Sequence, residues 1–199
     1  MPSQKRLEKA YAAFDLYNSS DLNREVYHGI TYSKECLYSL RMTEKLHQYV
    51  TDPPEYLQLA TRCQHIGRWE ITRNSYSMDR IGYLQWRSQL KIHHSTIAEK
   101  ILTECDYGSD IKTKVKSLLL KKQLHQNPDT QLLEDVICLV FIEYYLEDFA
   151  SHHEDEKMIE IIKKTLKKMS PQAINEALKI PVSDNVKSLI DRAASSDTV

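Results

Sequence analysis

The 199-residue sequence predicts an all-α fold. Apolar residues recur at helical spacing of three and four along most of the chain, and no strand-like alternation is evident. Only four glycines and six prolines occur, and several of them fall where that spacing breaks. A chain of this size can close one core, so a single helical domain over residues 1–199 is expected.

Taken in order, Leu7, Ala10, Tyr11 and Phe14 share a helical face within Ser3–Leu16, and Asn18-Ser19-Ser20 stops it. The polar stretch Leu22–Tyr32 with Gly29 reads as a loop. Ser33 opens a helix to about Val50, with Tyr38, Met42, Leu46 and Tyr49 as its stripe. Asp52-Pro53-Pro54 ends it. Leu57–Arg73, LQLATRCQHIGRWEITR, then forms a helix that Gly67 interrupts. Ile71–Gly82 is irregular. A long helix, Tyr83–Cys105, carries Leu90, His94, Ile97, Ala98 and Ile101 on one face, and a shorter one spans Asp110–Lys122. Asn127-Pro128-Asp129-Thr130 is a helix start. From it, Gln131 to about His152 reads as one buried rod around VICLVFIEYYL. Asp155–Lys168 is amphipathic, Ser170-Pro171 opens a short helix, and Asp184–Ala193 precedes a frayed tail.

Composition narrows the function classes. Apolar content is 41% and charged content 28%, and no apolar run nears the ~20 residues of a membrane span. No signal-peptide pattern opens the chain. Cys36, Cys63, Cys105 and Cys138 lie far apart with no C-x-x-C pair, which points to a reducing cytoplasm. The net charge of −1 gives no global attraction to nucleic acid or anionic lipid.

Three constellations carry chemistry. Glu134 and Asp135 both lie on apolar faces of their helix, so at least one carboxylate points inward and needs a cation, a metal or several donors. A structural ion pair satisfies that need equally well. His65 and His94 are also inward. Two imidazoles and the Asp135 carboxylate from three helices make a possible divalent-metal set. The third is cationic and aromatic: Arg62, Arg68, Arg73, Arg80 and Arg87 interleave with Trp69, Tyr76, Tyr83 and Trp86. Guanidinium forks match phosphate oxygens and aromatic faces stack on bases. The alternative is that these arginines pair with Glu70, Asp79 and Glu134 while the tryptophans pack. No glycine-rich phosphate loop and no G-x-S-x-G is present.

Several motifs, RMTEKL (Arg41–Leu46), CQHIGRWEI (Cys63–Ile71), GYLQWR (Gly82–Arg87), LEDVICLVFIEYYLEDFA (Leu133–Ala150) and DEKMIEIIKKTLKKMS (Asp155–Ser170), resemble an uncharacterised domain-of-unknown-function family of bacteria and fungi, over about Arg24–Met169. That resemblance implies no activity. A more distant one is to the HD-domain phosphohydrolases. Gln64-His65-Ile66-Gly67-Arg68 is similar to their His-Asp-Ile-Gly-Lys turn, Tyr38–Met42 to their first-histidine segment, His94–Leu102 to the following helix, and Asp135 to the final aspartate. Tyr38, Gln64 and His65 replace two histidines and the bridging aspartate, and Arg68 keeps a cation for phosphate.

The resemblance implies an HD-like bundle whose pocket is lined by Arg41, Gln64, His65, Arg68, His94 and Asp135. It would bind a small phosphorylated ligand, a nucleotide above all. As a phosphohydrolase it would use a divalent metal on His65, His94 and Asp135, with Arg68 and Arg41 neutralising charge. The alternatives are a non-catalytic nucleotide- or RNA-binding module that uses Trp69, Arg73, Trp86 and Arg87, and a scaffold in which the polar residues only brace helices.

Overall fold

In the computed structural model, residues 2–195 are described; the tail expected to fray lies mostly beyond them. The helical class holds. Ten α-helices and two short 3-10 turns are joined by one two-stranded hairpin among the described residues. No helix is long and apolar enough to cross a membrane. The chain divides between Lys122 and Gln123 into two compact units.

The first unit contains α1 (Pro2–Asn18), β1 (Arg24–Tyr27), β2 (Ile30–Ser33), α2 (Lys34–Tyr49), α3 (Glu55–Arg62), α4 (Arg80–Glu104) and α5 (Ser109–Leu119). Helix α3 sits among α1, α2 and α5, and α4 packs on α5 and α1. The core holds Phe14, Leu37, Met42, Leu46, Leu57, Leu59, Ile66 and Leu102, each almost fully buried. These residues are the apolar stripes of the helical pattern, and their removal from water drives the association.

The segment expected to be a loop at Leu22–Tyr32 is instead an antiparallel hairpin, with Tyr27 opposite Ile30. His28 and Gly29 both take positive φ (49° and 76°), as a two-residue turn matching strand twist requires. The central helix is also shorter than expected. Helix α3 ends at Arg62, and 3-10 turns at Arg68–Glu70 and Arg73–Ser75 carry the chain on. Asp79 caps α4 by accepting from the Gly82 N–H at 2.7 Å, so α4 starts at Arg80, three residues before the expected Tyr83.

The second unit contains α6 (Pro128–Tyr144), α7 (Leu146–Ser151), α8 (Asp155–Leu166), α9 (Pro171–Ala177) and α10 (Asp184–Ser195). Asn127 caps α6 through the Asp129 and Thr130 N–H groups, with Pro128 at the first helical position. The rod expected to reach His152 is two helices. Tyr145 leaves helical geometry (φ −126°, ψ −20°) and separates α6 from α7. Helix α9 packs on α6, and α10 packs on α8 and α7.

Candidate functional site

The site begins with the turn after α3. Gly67 has φ +67°, a left-handed conformation that glycine adopts without strain. A Cβ there would stand 2.5 Å from Ile97 Cδ1 and 3.2 Å from His93 Nε2. The Asn18 side chain holds the turn by accepting from the Gly67 N–H at 3.2 Å. Gly67→Ala is therefore expected to lower unfolding free energy by about 2–4 kcal/mol, from backbone strain plus overpacking, as measured by denaturant titration.

This turn sets Gln64, His65 and Arg68 against α2. Tyr38 donates its hydroxyl to Gln64 Oε1 at 2.9 Å, and its ring stacks on His65 with centroids 4.0 Å apart. Glu35, in the first turn of α2 and nearly buried, faces both: its carboxylate is 3.3 Å from His65 Nδ1 and 3.8 Å from Arg68 Nε. Burial pushes the Glu35 carboxyl up to about 7, with the Arg68 cation pulling the other way. Burial pushes His65 well below its usual value, and the Arg68 charge adds to the effect. His94, on α4, donates Nδ1–H to the Ile66 carbonyl at 2.6 Å, which fixes its tautomer. Burial lowers His94 to about 3 despite that bond. Both imidazoles are neutral at pH 7.

Two cations share this neighbourhood. Arg68 lies over the Trp86 ring at 4.8 Å, and Trp86 Nε1 donates to the Ile71 carbonyl at 2.9 Å, which fixes that platform. Arg87 is half-buried and has no hydrogen-bond or ion-pair partner among the described residues. Its charge depresses His65, His94 and Arg68 alike. The arrangement gathers Arg68, Arg87, two neutral imidazoles and the raised Glu35 carboxyl, with Lys121 adding to the positive charge felt by His65 and Asp21 and Glu25 to the negative charge felt by Glu35.

Other expected contacts are engaged elsewhere. Arg41 is buried and pairs with Glu25 at 2.6 Å beneath Tyr27, so it braces the hairpin. Arg73 donates to the Tyr76 and Asp79 carbonyls, each at 3.2 Å, and clamps its own loop. Trp69 lies against Tyr17, 5.9 Å between centroids. Arg62 pairs with Asp15 at 2.5 Å.

Asp135 belongs to the second unit, where Oδ1 accepts from the Ser170 N–H (2.8 Å) and the Gln131 amide (2.9 Å), and Oδ2 from the Ser170 hydroxyl (2.6 Å). Glu134 is buried as well and lies 3.6 Å from Lys168. The Ser170 and Gln131 donors meet the need of the Asp135 carboxylate. Among the described residues there is no group of three or more His, Cys, Asp or Glu that could hold a metal ion. Asp135→Ala is expected to cost about 3 kcal/mol of stability by leaving the Ser170 and Gln131 donors unmatched, and Asp135→Asn less. Denaturant unfolding of the two variants checks this.

Glu35 was not apparent as a site residue. A first-turn glutamate reads as a partner of the helix dipole. The available signal was its spacing of three from Tyr38 and seven from Met42, which places all three on the inward face of α2.

Comparison with known proteins gives one match. Residues 8–190 fit the family described as Domain of unknown function (DUF4202). The chain belongs to that family. No curated protein and no solved structure matches this DUF4202 member.

Proposed function

We propose that this DUF4202 chain binds a small phosphorylated molecule, a nucleotide foremost, at the Arg68 and Arg87 corner of the first unit. The observation that carries the reading is Arg87: a half-buried guanidinium without a hydrogen-bond or ion-pair partner among the described residues, close enough to Arg68 to oppose its charge. A phosphate would relieve that repulsion and accept from both forks. Tyr83, half-exposed and 6.0 Å from Trp86 between ring centroids, offers a face for a base. In this reading the Gln64–Arg68 turn takes the part of the HD-domain His-Asp turn, with the anion-binding role kept.

Hydrolysis is a second reading, and it rests on Glu35. A carboxyl pushed up to about 7 is poised for proton transfer at neutral pH. Its carboxylate would take a proton from water as that water attacks phosphorus, the P–O bond to the leaving group would break, and the departing oxygen would leave with that proton or as a phosphate anion, while Arg68 and Arg87 hold the phosphoryl oxygens.

Calorimetric titration of the full chain with ATP, and separately with inorganic phosphate, tests both readings. Saturable binding that survives a chelator supports the first; no heat from either ligand defeats it. ATP turnover that Glu35→Gln abolishes without weakening binding supports the second. A short RNA binding in place of ATP, with affinity falling steeply as salt rises, would favour the nucleic-acid alternative.

A further inference from the structure

Helix α4 turns a second apolar face toward solvent. Five of the twelve large apolar side chains that stand exposed among the described residues fall within residues 78–92. Met78 is 78% exposed, Ile81 67%, Leu84 54% and Ile92 52%, and Tyr83 is half-exposed. At about 100° per residue, Leu84, Ser88, Ile81 and Ile92 share a sector about 80° wide. Arg80, Arg87 and Lys91 border that sector on one side, and Gln85 and Gln89 on the other. The buried Trp86 and Leu90 point the opposite way, into the core. Exposed aliphatic side chains gathered in one stripe with a polar rim mark an interaction surface.

Charge selects the partner. Between Asp79 and Glu99 the sequence carries Arg80, Arg87 and Lys91 and no acid. The acids nearby are already engaged. Asp79 accepts from the Gly82 N–H and the Ser77 hydroxyl, and Glu70 is held by the Tyr17 hydroxyl and His93. Glu35 faces Arg68, while Asp21 and Glu25 beyond it are offset by Lys34 and Arg41. Arg68, Arg73, Arg80, Arg87 and Lys91 thus outnumber Glu35, Glu70 and Asp79 by two. Arg80 is exposed and has no hydrogen-bond or ion-pair partner among the described residues.

Shape narrows it further. The stripe is a ridge on the outside of one helix, which offers a small molecule no cleft but lies flush on a plane. Its side chains sort by depth, with aliphatic groups at the centre and a tyrosine and long cationic side chains at the border. We propose that this face of α4 docks on a bilayer surface carrying anionic lipid, with Met78, Ile81, Leu84 and Ile92 among the acyl chains and the flanking cations at the lipid phosphates. The four aliphatic residues take no part in the phosphate site, so docking and ATP binding fail separately.

Cosedimentation of the full chain with vesicles tests this. Phosphatidylcholine vesicles containing phosphatidylserine should take up the chain saturably. Phosphatidylcholine alone should bind it at least about tenfold more weakly, and uptake by the mixed vesicles should fall as salt screens the cations. Ile81→Gln combined with Leu84→Gln should weaken uptake by about tenfold or more, with ATP binding and unfolding free energy at the parent values. Both side chains are exposed, so the core is untouched. Arg80→Gln should weaken uptake about fivefold, the effect of one cation at an anionic surface. Ile92→Trp should shift its emission to the blue on the mixed vesicles, which cations adhering without insertion would not produce. No cosedimentation, equal uptake by both vesicle types, or unchanged uptake of the double variant would overturn the proposal. So would saturable binding of poly-glutamate without vesicle binding, which would give the face to an acidic protein segment.

Discussion

Arg87→Gln is expected to weaken ATP binding by about 10–100-fold while leaving the unfolding free energy within about 0.5 kcal/mol of the parent. The first figure follows from losing a charge-assisted contact of ~1.5–3 kcal/mol. The second follows from what Arg87 touches: with no ion pair or hydrogen bond to another described residue, the folded chain loses little when it goes. Arg68→Gln should weaken binding by a similar factor, but it also withdraws the cation beside Glu35 and uncovers the Trp86 face. Its stability should therefore change where that of Arg87→Gln does not. Calorimetric titration paired with denaturant unfolding reads both quantities. If ATP binds Arg87→Gln as it binds the parent, the corner is not the ligand site and these arginines serve packing alone.

The helices were legible because burial imposes a period that survives in the sequence. Tyr38, Met42 and Leu46 recur along α2, and all three are buried. The hairpin was not legible. Four-residue strands are too short to display alternation, and Val26 and Ile30 are exposed, so hydropathy marks no inner face. Its turn is His28-Gly29, where Asn-Gly would have signalled it.

The site was half legible, for a related reason. Sequence shows that a polar side chain lies on an apolar face, but not which partner meets it. His94 and Asp135 were both expected inward, and both are buried. Their partners are the Ile66 carbonyl, 28 residues away, and Ser170, 35 residues away. Nothing local in the sequence encodes either pairing. The same ambiguity surrounds Asp135 as a metal ligand, because buried carboxylates held by a cation and by hydrogen-bond donors share one pattern.

Stability should rise from pH 4.5 to about 7 and level off above it, because three buried groups titrate in opposite senses. His65 and His94 have folded values below their unfolded 6.5, so their contribution is present above pH 6.5 and is lost as pH falls toward the folded values. Glu35 has a folded value near 7 against 4.5 unfolded, so its contribution is complete below pH 4.5 and is lost as pH rises through 7. Between pH 4.5 and 6.5 the unfolded chain holds protons on two imidazoles, and the folded chain holds one on Glu35. The net difference of one proton costs about 1.4 kcal/mol per pH unit on acidification, or roughly 3 kcal/mol across that window. Above pH 7 the residual imidazole protons of the unfolded chain nearly cancel the Glu35 proton of the folded chain, so the profile is flat. Glu35→Gln removes that proton and nothing else from the balance. Its acid slope should therefore approach two protons, and its stability should go on rising between pH 6.5 and 7.5, where the parent levels off. Denaturant unfolding from pH 4.5 to 8, followed by Trp69 and Trp86 fluorescence, measures both slopes. A variant profile parallel to the parent's would show that Glu35 titrates as an ordinary exposed carboxylate, and would remove the basis for the hydrolytic reading.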